Sequence, residues 1–204
     1  MARVDDYRNA RHLAAMHLKT LSFSELLGHS GFSTVDADTL RVPFLDREYW
    51  LRAPEFSFRD CQDKGRAVPL QEQVLILHYL EGCSGTEVSG RWVAYREIPG
   101  AGFYFGAFVK RTIDPLKKVF GHQPQTLIRV GQKLGGQVVA DGDVGLDFRV
   151  LPQVPLKLIL WQGDEEFPPE ANILFDASAG SILSPEDLAW LAGMLVYRLI
   201  ARSR

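Results

Sequence analysis

Cysteine is scarce: Cys61 and Cys83 are the only two in 204 residues, 22 positions apart with no CxxC, so no zinc ribbon or four-cysteine iron–sulfur site fits within the chain. Reduced thiols are the expectation. The five histidines, His12, His17, His29, His78 and His122, form no HxH or HExxH pair; His12 and His17 fall ~140° apart on a helix, so no zinc site is spelled out. His78 lies among Val74, Leu75 and Leu77 and reads as a packed histidine rather than a base. Neither Ser84 nor Ser181 sits in a GxSxG elbow, and no GxxxxGK[ST] loop occurs. The turn Gly100-Ala101-Gly102-Phe103-Tyr104-Phe105-Gly106 fails the dinucleotide fingerprint because Phe105 stands where glycine is required. Charge of one sign is also missing. With 23 basic and 25 acidic residues the net charge is −2, and the pI is near 6.2, which argues against nucleic acid or an anionic membrane as partner. No stretch approaches the ~18 apolar residues of a spanning helix, and the start Met1-Ala2-Arg3-Val4-Asp5-Asp6 is charged where a secretory signal is apolar. The expected compartment is the cytoplasm.

What remains is a chain of 22.9 kDa with 46% hydrophobic and 24% charged residues, enough to bury a core without staples. No linker or repeat divides it, so residues 1–204 read as a single α+β domain, with 1–38 as a helical N-terminal extension. Tyr7, Ala10, Ala14, Leu18 and Leu21 recur on one helical face. Leu40, Val42 and Phe44 alternate, and Arg47 to Arg52 can return as a hairpin, with Pro43 favouring an edge strand. Pro69 to Leu80 reads as a helix with Gly82 as its left-handed stop, and Ile113 to Phe120 and Pro124 to Leu134 as two more. Trp92 to Ile98, Val138 to Ala140, Leu146 to Val150, Val154 to Trp161 and Asn172 to Phe175 read as strands of a mostly antiparallel or mixed sheet. On the hairpin strand, Asp147 and Arg149 take the wet face. Ser184 caps a final helix from Pro185 to about Ala201, whose Leu188 to Tyr197 stretch is apolar almost all round and must be central or covered by another subunit.

Chemistry concentrates between Trp161 and Asp176, where Asp164, Glu165, Glu166, Glu170 and Asp176 occur without a basic residue. Such a group can coordinate Mg²⁺ or Ca²⁺, or divide acid and base roles; Asp164, Glu166, Glu170 and Asp176 are the candidate metal ligands. The competing expectation is a solvated loop anchored by Phe167 and the Pro168-Pro169 pair. Positions 108 to 133 carry six basic residues against Asp114, and 141 to 176 carry eight acids against Arg149 and Lys157; ordinary surface pairs between the blocks are favoured over a cleft.

Trp92-Val93-Ala94-Tyr95-Arg96-Glu97-Ile98-Pro99-Gly100, Asp114-Pro115-Leu116, Leu134-Gly135-Gly136, the whole Trp161 to Asp176 stretch and Leu183-Ser184-Pro185-Glu186-Asp187-Leu188-Ala189 together resemble the prokaryotic family called domain of unknown function 3786. The resemblance implies a setting in anaerobes, where some members are fused to a small cysteine-rich domain that looks like an iron–sulfur binder of corrinoid one-carbon metabolism. This chain lacks those cysteines, so such a role implies a partner, and no catalytic residue carries over.

The leading expectation is therefore an accessory module that binds a small ligand or a protein partner through Trp161, Asp164, Glu165, Glu166, Glu170 and Asp176, with Arg96, Glu97 and the Gly100 to Gly106 turn beside them. Its cofactor is unspecified, and it is a monomer or weak homodimer. The rivals are a carboxylate-based Mg²⁺ enzyme and a structural oligomer subunit.

Overall fold

The computed structural model describes residues 4–85 and 87–204. They gather into two compact units, the first holding residues up to Glu87 with Leu151–Gln153 and Ser181–Leu183, the second holding the rest. Each unit draws on separated stretches of chain, so no single sequence position divides them, and a linker-like segment has no place to appear.

In the first unit, α1 (Val4–Leu18) and α2 (Phe23–Ser30) pack on α3 (Leu70–Gly82), beside an antiparallel sheet of β1 (Ser33–Thr34), β2 (Thr39–Phe44), β3 (Arg47–Arg52) and β4 (Ser57–Asp60). Of the expected face of α1, Ala14 and Leu18 are buried, with Ala15 beside them, Tyr7 and Ala10 are half-buried, and Leu21 falls past the helix end. Stretch 1–38, expected as an extension, thus contributes core residues to this unit. Helix α2 has a full capping box: the Ser22 hydroxyl accepts from Glu25 N–H and the Glu25 carboxylate accepts from Ser22 N–H, with Gly31 left-handed at the other end. The expected β2–β3 hairpin forms, with Thr39 opposite Arg52 and Phe44 opposite Arg47. Strand β2 is not an edge strand as Pro43 suggested. It lies between β1 and β3, but β1 pairs only with Leu40 and Arg41, so Pro43 needs no donor on that side. Gly82 also serves differently from expectation: it is the last helical residue, and a Cβ there would lie 1.8 Å from the Ile182 carbonyl oxygen, so glycine is required for close backbone approach. The Tyr79 hydroxyl donates to Ser30 O at 2.6 Å and accepts from Gln153 N–H at 3.2 Å, tying the Leu151–Gln153 turn to α3.

The second unit is built on a five-stranded antiparallel sheet in the order β5 (Trp92–Ala94), β9 (Glu170–Asp176), β8 (Val154–Trp161), β7 (Val144–Leu151), β6 (Gln137–Val139). After β5 come two 3-10 turns, Tyr95–Glu97 and Ala101–Tyr104, then α4 (Phe105–Arg111), α5 (Ile113–Phe120) and α6 (Pro124–Lys133); α7 (Ala179–Ile182) and α8 (Pro185–Ser203) close the chain. One face of the sheet, with Val93, Leu146, Phe148, Leu156, Leu158, Ile173 and Phe175, is buried. Tyr95 stacks on Phe108 at 4.1 Å, both rings meet Phe175, and the Tyr95 hydroxyl donates to Pro185 O at 2.7 Å; each such ring pair adds roughly 1 kcal/mol beyond its burial. Helix α8 packs on α4, α5 and α6 and buries ten residues from Asp187 to Ile200. Its apolarity is thereby accounted for within its own unit. No helix among the described residues is long and apolar enough to cross a membrane.

Candidate functional site

The acidic stretch does not gather into one centre. Asp164, exposed, accepts the backbone N–H groups of Phe167 at 2.7 Å and Glu166 at 2.8 Å, which hold its carboxyl below the usual range and make it the staple of its own turn. Glu165 and Glu166 face solvent. Trp161, 42% exposed, stands opposite Glu170 in the β8–β9 register, and Glu170 reaches Lys117 at 3.5 Å, the kind of surface pair expected between the basic and acidic blocks. Asp176 is at the far end of β9, ~20 Å along the strand from Glu170. It is 1% exposed and accepts from Ser89 N–H and Oγ–H, Gly90 N–H, and Ser178 N–H and Oγ–H. Those donors outweigh burial and bring its pKa down to about 2. Among the described residues no three His, Cys, Asp or Glu side chains are grouped to hold a metal ion.

The loop after β8 is held by backbone geometry. Gly163 N–H donates to Gly121 O at 3.0 Å, and a Cβ at Gly163 would lie 2.5 Å from Pro169 Cδ. Pro169 anchors the loop as the diproline suggested; Phe167 does not, being 68% exposed. Arg96 and Glu97 are exposed, Arg96 lying over the Phe105 ring at 4.0 Å and Glu97 accepting from Ala94 N–H at 2.7 Å. Arg96 thus packs on the aromatic turn, whose Phe103 is 89% exposed, while Glu97 caps the 3-10 turn before it. Cys61 and Cys83 are raised to about 11 by burial, so both thiols are protonated at neutral pH and poor nucleophiles.

A different set of residues converges around the sheet face that carries Trp92, Asp147 and Arg149. A groove of about 410 Å³ is lined by Trp92, Gly135, Gln137, Asp147, Phe148, Arg149 and Pro155, a size within the range of small-molecule sites. The period of two places Asp147 and Arg149 on one face of β7, with Leu146, Phe148 and Val150 on the other. Beside the groove Lys157 lies over the Trp92 ring at 4.9 Å, pairs with Asp141 at 2.6 Å, and stands 3.8 Å from Asp147. One cation thus serves two carboxylates. Asp147 is the one left short: its buried Oδ1 has the Lys157 ammonium at 3.8 Å, beyond hydrogen-bond reach, and burial, opposed by Lys157 and reinforced by Asp141, raises its pKa. A buried acceptor with an ion-pair partner but no donor within hydrogen-bond reach, in the wall of an open groove, is a position where a ligand group gains more than water offers.

The outward alternation of Asp147 and Arg149 was visible in sequence; the convergence of Trp92, Gln137 and Lys157 from three other strands was not, because it depends on strand order. No curated protein and no solved structure matches the chain. The family model described as domain of unknown function (DUF3786) matches residues 22–198 of the 204, and the chain belongs to that family.

Proposed function

We propose that the chain is a binding module for a small polar metabolite of the amino-acid or hydroxy-acid type, held in the groove of the five-stranded sheet. The carrying observation is the buried, hydrogen-bond-free Oδ1 of Asp147 in the groove wall. Arg149, two residues along the same strand, lies ~7 Å away. A ligand whose amino or hydroxyl group donates to Asp147 while its carboxylate meets Arg149 spans that gap with two hydrogen bonds of ~3 Å. The iron–sulfur or corrinoid connection implied by the family resemblance would, in this reading, reside in a partner chain. A thermal-melt panel of amino acids and hydroxy acids tests the proposal. A ligand at a hundred times its Kd adds about 2.7 kcal/mol, or roughly 5–10 °C at this chain length. Asp147→Asn is expected to abolish the shift and Arg149→Ala to weaken binding at least tenfold, as loss of a charge-assisted hydrogen bond does. A shift that persists in both variants, or a panel without any shift, contradicts the reading.

A protein partner on the Trp161 to Asp176 loop is the second reading, favoured by Phe167 standing exposed beside Glu165 and Glu166 on a loop rigidly anchored at Gly163. It predicts that a complex of defined mass recovered with the native protein is lost in the triple variant Glu165→Gln, Glu166→Gln, Phe167→Ala, while the melting temperature is unchanged.

A further inference from the structure

Trp50 Nε1 and Asp147 Oδ1 are the buried side-chain polar atoms left without a hydrogen bond among the described residues. Each belongs to a residue lining a groove, and the Trp50 groove is in the first unit. It measures about 440 Å³ and is lined by Asp36, Thr39, Trp50, Arg52, Ser57 and Arg59, with Val35 and Phe58. Strand register builds it. Arg41 is opposite Trp50 across β2–β3, and Trp50 is opposite Arg59 across β3–β4. One row of the sheet's outer face therefore reads Arg41, Trp50, Arg59, and the next reads Thr39, Arg52, Ser57. The inner face carries Leu40, Val42, Tyr49 and Leu51, all buried.

The charges on this face are unequally answered. Arg41 has Glu48 at 3.5 Å and Arg52 has Asp38 at 2.9 Å. Asp36, at the rim, accepts Asp38 N–H at 3.1 Å. Arg59 is exposed and has neither an ion pair nor a hydrogen bond among the described residues, although it is the cross-strand neighbour of the indole. Directly opposite positions keep Cβ atoms ~5 Å apart, which sets Arg41 and Arg59 on either side of Trp50 in the row; both arginines are exposed, and their long side chains can move aside for a ligand. An indole N–H lacking an acceptor, a flat aromatic surface and an unpaired guanidinium are complementary to one chemical class. From this we infer that the outer face of β2–β4 is a second binding site, for a planar aromatic molecule bearing an anionic group, of mononucleotide size. The ring packs on Trp50, an acceptor takes the Nε1 proton, and the anionic group pairs with Arg59. Asp36 sets the orientation by repelling the anion from the opposite rim.

The test follows the Trp50 indole N–H in nitrogen-15 correlation spectra, where the four tryptophans give four indole signals, assigned with Trp→Phe variants. Adenosine monophosphate, adenosine and inorganic phosphate are titrated separately. The monophosphate is expected to move the Trp50 signal saturably, adenosine and phosphate each to bind at least tenfold more weakly, and Arg59→Ala, an exposed substitution, to weaken the monophosphate about tenfold without changing the melting temperature. No movement of the Trp50 signal with the monophosphate overturns the proposal. So does phosphate binding as tightly as the monophosphate, or an unaltered affinity in Arg59→Ala. The Trp92 signal reports the other groove separately, so the two readings fail independently.

Discussion

Asp176 and Asp147 are both carboxylates on the five-stranded sheet, and their surroundings push them in opposite directions. Five donors from Ser89, Gly90 and Ser178 enclose Asp176 and depress its pKa from 3.8 to about 2. A depressed pKa means that its contribution, of order 2–3 kcal/mol, is fully present above pH ~4 and disappears as pH falls through about 2. Asp176→Asn, whose amide must turn a donor toward donors, is expected to lose about 2–3 kcal/mol at pH 7 and to flatten stability between pH 4 and 2; urea unfolding across that range checks it. Asp147 is raised instead, so its ionised form opposes folding and its neutral form does not. Asp147→Asn is therefore expected to melt at pH 7 no lower than the wild type while losing ligand. A fall of more than ~1 kcal/mol would mark Asp147 as structural. Only the raised group bears the stability cost characteristic of a site.

Gly82→Ala drives a Cβ into the Ile182 carbonyl, a contact with backbone rather than a pliant side chain, and is expected to cost at least 2 kcal/mol in chemical denaturation. Ser184→Ala removes the hydroxyl that accepts from Asp187 N–H at 3.1 Å and donates to the Asp187 carboxylate at 2.7 Å, for an expected loss of about 1 kcal/mol or more. Elements with strong periodicity or caps were legible in sequence: α5 coincides with its expected range, α8 begins at the expected Pro185, and the expected β2–β3 hairpin forms. The short α2, β4 and α4 were missed. Four residues of β4 and seven of α4 carry too few alternations or turns for a period to show, whereas α2, as long as α5, had a usable signal in the Ser22-to-Glu25 capping box.

At the scale of the whole chain, local pattern loses its reach. The residues singled out by composition, Asp164 to Asp176, are consecutive in sequence yet spread from a solvent-facing turn to a buried cage, because a strand separates its ends by more than any metal can bridge. The grooves are the reverse case. Trp92 and Asp147 are 55 positions apart and meet only through the sheet order β5-β9-β8-β7-β6, which no window of sequence contains. The α+β class, by contrast, followed from alternating and helical periods alone. The most direct test of the groove as the binding site uses the panel ligand giving the largest melting shift and the same four indole signals. The account predicts that the Trp92 signal moves while those of Trp161 and Trp190 stay. Movement of Trp161 with Trp92 unmoved would place the ligand on the acidic loop and contradict it.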